Sequence, residues 1–303
     1  MWALEDGHEV RRIDWPGRAS IAEGRVRGSI LFFPGRGDHY EKYLESLEEW
    51  HRAGWRVTAS DWRGQAGSGR LGKDAVTGHI EDFAIWIEDL AHLWRGWAAE
   101  APGPRVLIAH SMGGHLALRA LIEERLAPDA LVLSAPMLGF QTPPLPLPML
   151  HGVARMMNLV GDSRRPAWKW SEKPGEIPAG RETLLTHDPD RYNDEQWWRD
   201  ARPELVMGPA SWRWVERGYE SMRRLEAPGA MEGVQTPILI LSTQNDKLVS
   251  HSANVRASQR LPNAELVEFG AEAHHEILRE VDAVRERAMD AIADFLDRVA
   301  PAS

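Results

Sequence analysis

The amino-terminal half of the chain alternates short apolar runs with amphipathic stretches. Residues 29–33 (SILFF) form a continuous apolar run, which is typical of a β-strand buried on both faces of a sheet. Residues 41–53 repeat their apolar side chains at helical spacing, and Gly54 follows as a helix stop. The same reasoning predicts strands at 10–15, 21–25, 56–60, 105–109 and 130–134, and helices at 80–97 and 113–126. This alternation predicts right-handed crossovers and a mostly parallel sheet.

The alternation stops after Pro136 and resumes about a hundred residues later. The later pattern predicts strands at 237–243 and 264–269, and helices at 253–260 and 276–299. The intervening residues include a proline-rich stretch at 142–148. The simplest interpretation is an α/β core made of residues 1–138 and 233–303, with a helical cap at 139–232 inserted between two strands.

The cap segment contains six tryptophans and is nearly neutral, with 13 Lys and Arg against 14 Asp and Glu. A nearly neutral, Trp-rich cap beside an acidic core suits contact with an apolar or lipidic substrate. The alternative is that the tryptophans pack a small core inside the cap. The sequence leaves both roles open for Trp168, Trp170, Trp197, Trp198, Trp212 and Trp214.

Composition excludes several classes of function. The 303 residues include no cysteine, which excludes disulfides, Cys-ligated zinc and thiol catalysis. A formal net charge of −9 and the absence of a Lys/Arg-rich tract argue against nucleic-acid binding. Residues 1–10 lack the apolar core of a secretion signal, and no apolar run is long enough to cross a bilayer. We therefore expect a soluble, cytoplasmic protein; its oligomeric state is not determined by the sequence.

Residues 105–115 (RVLIAHSMGGH) carry the strongest local signal for chemistry. Ser111 lies where a predicted strand meets a predicted helix, with Ala109 and Gly113 two positions away on either side. This is the small-x-Ser-x-Gly pattern of a nucleophile elbow, with Ala in place of the usual first Gly. The neighbours must be small because the turn is tight, and the turn lifts the serine hydroxyl clear of the sheet. The pattern predicts Ser111 as a nucleophile.

A serine nucleophile needs a general base and a carboxylate that orients the base. In this architecture both are expected after the serine, at the carboxyl ends of later strands. Asp246 follows one such predicted strand, and the pair His274 and His275 follows the next. We choose His275 as the base because it directly precedes the apolar start of the last helix, and we keep His274 as the alternative. Asp246 has an alternative role as the helix-capping acid of its loop.

These motifs resemble the α/β-hydrolases of the monoacylglycerol lipase and lysophospholipase group, the serine-aminopeptidase-like hydrolases. The matching segments are residues 31–40, 61–69, 110–114, 245–249 and 275–280. They cover nearly the whole chain except the insertion. The resemblance implies an α/β-hydrolase fold, a mostly parallel sheet flanked by helices with a helical cap between two strands. It also implies that the second segment is the partner loop of the elbow and that the last segment carries the catalytic histidine.

The resemblance further implies an oxyanion hole made of two backbone N–H groups, those of Met112 and Arg36. The family usually has His-Gly where this chain has Pro34-Gly35. Because proline has no N–H and a fixed φ, we expect this loop to be braced by something other than a histidine side chain. For the Arg36 side chain we favour an exposed position over the loop. The alternative is a cation that meets an anionic head group at the mouth of the site.

Two other motifs are rejected. Residues 67–72 (GSGRLG) fit a dinucleotide fingerprint, but helical periodicity begins only near Ile80, so the motif does not open a helix. A phosphate loop would need a hydroxyl after Lys73, where Asp74 stands. His110 and His115 flank Ser111 at a spacing that does not share a helical face, so we interpret His115 as a packing residue. We therefore expect no cofactor and no metal.

The sequence predicts a cofactor-free serine hydrolase that cleaves carboxylic esters through an acyl-enzyme. A serine at the elbow, rather than an aspartate, disfavours haloalkane dehalogenase or epoxide hydrolase chemistry. The expected partner is a small-molecule or lipid ester, most simply a single-chain lipid such as a monoacylglycerol or lysophospholipid, with transient contact to a lipid interface as an option. One alternative is a short-chain carboxylesterase acting on a small non-lipid ester. Another is a catalytically silent hydrolase fold that only binds ligands.

Overall fold

The structure is a computed structural model that describes residues 1–15, 26–141, 146–169 and 180–301. The predicted strand at 21–25, residues 142–145 of the proline-rich stretch, and Trp170 lie outside the described residues.

In the described part of the chain, a seven-stranded sheet forms the centre of the molecule. The strands in chain order are β1 (Trp2–Ala3), β2 (Glu9–Val10), β3 (Arg12–Trp15), β4 (Gly28–Phe33), β5 (Trp55–Ser60), β6 (Arg105–His110), β7 (Ala130–Ser134), β8 (Ile238–Thr243) and β9 (Ala264–Phe269). The large sheet has the order β3-β5-β4-β6-β7-β8-β9, while β1 and β2 pair with each other. Only β3 runs antiparallel in the large sheet, so the predicted mostly parallel sheet is confirmed.

Helices cover both faces of the sheet, which explains why its central strands are continuous apolar runs. The α-helices in the described ranges are α1 (Leu44–Arg52), α2 (Phe83–Glu100), α3 (Met112–Ile122), α4 (Leu147–Leu159), α5 (Glu182–Leu185), α6 (Pro189–Ala201), α7 (Trp212–Glu226), α8 (His251–Arg260) and α9 (Asp282–Val299). In β4, Leu31 and Phe33 belong to the apolar core that includes residues of α2, α3 and α8, whereas Ile30 and Phe32 belong to the core that includes residues of α1 and α9. Alternate side chains of one strand therefore supply two separate cores.

Several helix boundaries differ from those predicted by periodicity. Helix α2 begins at Phe83 because Asp82 caps it, accepting a hydrogen bond from the N–H of Ala84 at 2.8 Å. Helix α3 ends at Ile122, since Glu124 takes a φ of 54° and closes the helix. The predicted helix at 276–299 is divided into a 3-10 turn, Ile277–Arg279, and α9, because Glu280 between them is extended.

Between β7 and β8 the described residues are mainly helical, comprising α4 to α7 and a 3-10 turn at Pro203–Leu205. The described tryptophans of this segment differ in their burial. Trp214 on α7 is buried against Phe83 of α2, with ring centres 5.4 Å apart. Trp168 and Trp197 are 48% and 60% exposed. The insertion thus has a packed side against the core and an open side with apolar side chains.

No helix in the described part of the chain combines the length and apolar character needed to cross a membrane.

Candidate active site

Ser111 lies in the tight turn between β6 and α3. Its backbone angles, a φ of 51° and a ψ of −116°, are a conformation that residues other than glycine rarely adopt. The end of β7 and the residues after it hold this turn in place. The N–H of Ser111 donates to the carbonyl of Ser134 at 2.9 Å, and the N–H of Met137 donates to the carbonyl of Ser111 at 2.9 Å. The strained turn therefore depends on the neighbouring strand.

The structure brings Ser111, His275 and Asp246 together. The Nδ1 of His275 lies 2.7 Å from Oδ2 of Asp246, and its Nε2 lies 2.9 Å from Oγ of Ser111. The other carboxylate oxygen of Asp246 accepts the N–H groups of Leu248 and Val249 at 2.8 and 2.9 Å. Because the ionised carboxylate only accepts, Nδ1 carries the proton and Nε2 is left to accept the serine hydroxyl. This arrangement can transfer the hydroxyl proton to the imidazole.

Charge pairing outweighs burial at this pair. Burial opposes ionisation of Asp246, but the adjacent imidazole and the N–H donors hold the pKa of its carboxyl below the ordinary value. Burial likewise disfavours the imidazolium form of His275, but the Asp246 carboxylate outweighs burial and raises the pKa of the imidazole. Asp246 therefore stabilises the protonated form of His275.

His274, the alternative base, has different neighbours. Its ring stacks on His187 with centres 3.7 Å apart, and its Nδ1 lies 3.1 Å from the side-chain amide of Asn245. The hydroxyl of Ser111 and the carboxylate of Asp246 bond to His275 instead. Of the two adjacent histidines, His275 is the one that bonds to both Ser111 and Asp246.

The loop after β4 is braced by residues 61–69 and by its own aspartate. The indole N–H of Trp62 donates to the carbonyl of Pro34 at 2.8 Å, and Gln65 accepts the N–H of Gly37 at 2.7 Å. The carboxylate of Asp38 accepts the N–H of Gly35 at 3.2 Å. An indole, an amide and a carboxylate therefore brace this loop, in which Pro34 replaces the family's usual histidine.

This loop and the elbow approach each other so closely that Gly113 has no room for a side chain and Gly35 has little. A Cβ at Gly113 would lie 2.4 Å from the carbonyl oxygen of Pro34, and a Cβ at Gly35 would lie 3.0 Å from Cβ of Ser111. Met112 is the first residue of α3, and Arg36 follows Gly35 in the wall of the cavity around Ser111. The two expected oxyanion donors thus belong to segments that meet beside Ser111.

The expectation of an exposed Arg36 side chain is wrong. Arg36 is half-buried, and its Nη2 donates to the carbonyl of Gly208 at 2.7 Å. Its guanidinium lies 5.4 and 5.3 Å from the ring centres of Trp168 and Trp214. A guanidinium is weakly hydrated and stacks readily on aromatic faces, which the insertion supplies. Arg36 therefore ties the loop after β4 to the insertion.

The two histidines that flank Ser111 are buried and electrically neutral. The ring of His110 packs 4.8 Å from that of His275, and burial together with the His275 charge lowers the pKa of His110 to about 4. His115 bonds through Nδ1 to the carbonyl of Met137 at 3.1 Å and through Nε2 to Ser221 at 2.6 Å. His115 is a packing residue, as the sequence predicts.

A cavity of about 370 Å³ lies over Ser111. Part of its lining is charged, comprising Arg36, Asp38, Lys42, Arg181 and Glu276. Another part is apolar, comprising Met137, Phe140, Trp168, Leu184, Leu185, Leu248 and Val249. Phe140 and Trp168 also line a second, almost wholly apolar space of about 210 Å³, together with Leu147, Leu150, Trp214, Val215 and Tyr219. A ligand at Ser111 would therefore meet both charged and apolar surroundings.

Apart from Arg36, sequence reasoning missed the charged part of this lining. Asp38 and Glu276 lie inside the motifs at 31–40 and 275–280. Because they stand so close in sequence to Gly35 and His275, the sequence could have indicated that they line the site. Lys42 has no such signal, because its spacing is equally typical of a solvent-facing helix position.

Neither rejected motif has the structure that its chemistry requires. The described residues between β5 and α2 contain no helix, so the glycines at 67–72 do not open one. Gly67 instead makes room for Arg11, whose Cδ would lie 2.6 Å from a Cβ at that position.

Across the described ranges, one group of side chains, His151, Glu216 and Glu220, has potential metal-ligand atoms within 4.8 Å of one another. Both carboxylates already pair with guanidinium groups, Glu216 with Arg213 at 3.2 Å and Glu220 with Arg217 at 2.6 Å. This group lies on α4 and α7 and is not part of the Ser111 cavity.

Comparisons with known proteins agree with this architecture. The sequence model of the family described as "Serine aminopeptidase, S33" matches residues 24–282. Lysophospholipase L2 of Escherichia coli K12 is 31% identical over 286 residues, covering 89% of this chain and 80% of that protein. The structure of a soluble variant of monoglyceride lipase from Saccharomyces cerevisiae has a TM-score of 0.75 at 15% identity, covering 99% and 97% of the two chains. A monoacylglycerol lipase from Paleococcus ferrophilus has a TM-score of 0.71 at 22% identity, covering 95% and 98%. The predicted α/β-hydrolase fold is confirmed.

We predict that replacing Asp246 by Asn lowers the pKa of His275 by at least about one unit, because the carboxylate is what raises it. An NMR titration of the histidine ring resonances measures this pKa directly. Asp290→Asn, at an exposed position on α9, is the matched control and should leave the value unchanged. An unaltered pKa in Asp246→Asn would contradict the described pairing.

We predict that Gly113→Ala lowers the free energy of unfolding by about 1–3 kcal/mol, because the new Cβ must push the Pro34 carbonyl away. Urea denaturation followed by tryptophan fluorescence measures the change. Gly96→Ala is the matched control, since a Cβ there meets nothing within 4 Å on an exposed face of α2. The control should raise the unfolding free energy by up to about 1 kcal/mol. Equal effects of the two substitutions would refute the steric argument.

Proposed function

The chain belongs to the serine aminopeptidase S33 family of hydrolases, and we propose that it is a cofactor-free serine esterase acting on single-chain lipid esters. The observation that carries this proposal is the continuous hydrogen-bonded chain from the Ser111 hydroxyl through His275 to Asp246, with distances of 2.9 and 2.7 Å. This chain faces a cavity large enough for a small ester group.

In the proposed reaction, Oγ of Ser111 attacks the ester carbonyl while Nε2 of His275 takes the hydroxyl proton. The N–H groups of Met112 and Arg36 receive the oxyanion of the tetrahedral intermediate. The intermediate collapses, His275 gives its proton to the leaving alcohol, and an acyl-enzyme remains. Water, deprotonated by His275, then releases the carboxylic acid and restores the serine. Asp246 keeps the imidazole in the required tautomer and stabilises the imidazolium.

The choice of a lipid ester rests on the surroundings of Ser111. The almost wholly apolar space between α4 and α7 suits an acyl chain, and the charged lining near Lys42 suits a polar head group. The names of related proteins, lysophospholipase L2 and monoacylglycerol lipase, support the same choice.

We assign residues 139–232 to a cap over a core of residues 1–138 and 233–303. The cap contributes Trp168, Leu184 and Leu185 to the cavity lining. Helix α4 also has an outward apolar surface, formed by Met149, Val153, Met156 and Leu159. An exposed apolar helix face of this kind suits transient contact with a lipid surface.

We predict that wild-type protein is labelled by a fluorophosphonate and that Ser111→Ala is not, with turnover reduced by several orders of magnitude. His275→Ala should lose activity to a similar extent because the base is removed. His274→Ala is the matched control and should keep most of the activity, since that ring bonds elsewhere. Full activity of His275→Ala, or a folded wild-type protein without labelling, would refute the proposal; the latter result would favour the ligand-binding alternative.

We predict that kcat/KM for p-nitrophenyl esters rises from acetate to decanoate, because longer chains bury more apolar surface. Leu150→Trp fills the apolar space and should reduce decanoate turnover while leaving acetate turnover nearly unchanged. Leu159→Trp adds the same side chain at a position that is 85% exposed and serves as the control. A preference for acetate or butyrate would support the short-chain carboxylesterase instead.

A further inference from the structure

Lys42 occupies an unusual position beside the candidate active site. It lies in the 3-10 turn Tyr40–Tyr43 that follows the loop after β4, and its side chain is only 2% exposed. Its Nζ lies 3.1 Å from Asp38 and 3.0 Å from Glu195, and it also forms an ion pair with Glu276. One buried cation therefore contacts three buried carboxylates.

Each of these carboxylates belongs to a different part of the site. Asp38 accepts the N–H of Gly35, in the loop that meets the elbow. Glu276 directly follows His275, and its own N–H donates to the carbonyl of Leu185 at 2.8 Å. Glu195 lies on α6 of the insertion. Lys42 is thus the point where the loop after β4, the histidine loop and the insertion converge.

The cost of this arrangement argues that it does more than hold the fold together. Removing an ammonium and three carboxylates from water is expensive, and apolar side chains of similar volume often stabilise a core equally well. An ion cluster also fixes the relative positions of the segments that carry its members, because each carboxylate must stay near the shared cation. Here the groups held in this way are attached to the segments that carry Gly35 and His275.

We propose that Lys42 is a positioning residue for the esterase reaction, holding the loop after β4 and the His275 loop in register when Glu195 of the insertion is in place. This inference rests on the proposed function, since it assigns a purpose to the alignment of those segments. Lys42 acts through Asp38 and Glu276 rather than on the reacting atoms.

The proposal has an electrostatic consequence for His275. The titratable groups that face this imidazole are Asp246, Glu276, Asp38 and the neutral ring of His110. Lys42 compensates the charges of Asp38 and Glu276, with Arg279 also paired to Glu276 at 2.6 Å. Without the Lys42 charge, the negative field at His275 grows and the pKa of the imidazole rises. Glu195 also pairs with Arg181, Arg199 and Arg279. Without the Glu195 charge, Lys42 and these guanidinium groups compensate the other two carboxylates more fully, and the pKa of His275 falls.

The test uses p-nitrophenyl butyrate and compares Lys42→Met, Lys42→Arg and Glu195→Gln in the 303-residue chain. For Lys42→Met we expect kcat to fall about 10- to 100-fold with KM changed less than about threefold, since alignment rather than binding is lost. The acidic limb of the kcat/KM profile should move up by about one pH unit. Lys42→Arg should return the acidic limb to its wild-type pH and restore most of kcat. Glu195→Gln should move the acidic limb to lower pH.

Arg119→Met is the matched control, because Arg119 is a buried cation paired with Glu123 at 2.7 Å and does not line the Ser111 cavity. It should leave the limb unchanged. A limb that also stays unchanged in Lys42→Met, with activity lost only in proportion to fluorophosphonate-labelled protein, would overturn the proposal. If Lys42→Met does not fold, an unshifted limb in Glu195→Gln overturns it instead.

The pKa of His275 is also measured by NMR without substrate, in the same variants. This readout separates the two proposals, because wild-type protein that neither hydrolyses esters nor reacts with the fluorophosphonate refutes the proposed function alone. The opposite shifts expected for Lys42→Met and Glu195→Gln still test the role of Lys42 in that case.

Discussion

The hydrogen bond between His275 and the carboxylate of Asp246 is the interaction on which the candidate site depends. The two side chains follow β9 and β8, which are parallel neighbours, so their loops emerge at the same edge of the sheet. Both groups are buried, and burial alone would favour the neutral form of each. Their contact reverses that preference and leaves the other nitrogen of the imidazole free to face Ser111. The parallel sheet thus brings residues that are distant in sequence to one edge, where they form a hydrogen-bonded chain along which a proton can move.

A steric constraint complements this electrostatic one. Ser111 is held at a positive φ, and the segments beside it approach to distances that exclude a Cβ at Gly113. Proline at position 34 removes an N–H from the loop, but its carbonyl remains available and Trp62 donates to it. The loop therefore keeps its place through contacts with residues 61–69. The loop needs small side chains where it meets the elbow. It also needs hydrogen bonds that hold it in place, but these need not come from a histidine.

The insertion is more closely integrated with the site than a simple cover would be. Arg36 reaches from the loop after β4 to two tryptophans of the insertion, and Glu195 reaches back to Lys42. Leu184 and Leu185 accept backbone hydrogen bonds from the loop that carries His275. On α4, by contrast, several apolar side chains remain exposed. One part of the insertion is therefore built into the site, while another presents an apolar surface outward.

Local pattern was enough to predict the parallel sheet, the elbow at Ser111 and the positions of Asp246 and His275 after their strands. Periodicity and strand-end chemistry act over a few residues, so a single sequence contains them. It could not place Arg36, because whether a guanidinium is exposed depends on tryptophans that lie more than a hundred residues away. It could not separate Lys42 from a solvent-facing lysine either, since two of its three carboxylates, Glu195 and Glu276, lie in distant segments of the chain. Burial and charge pairing are properties of the assembled chain, and for that reason only the tertiary structure decided them.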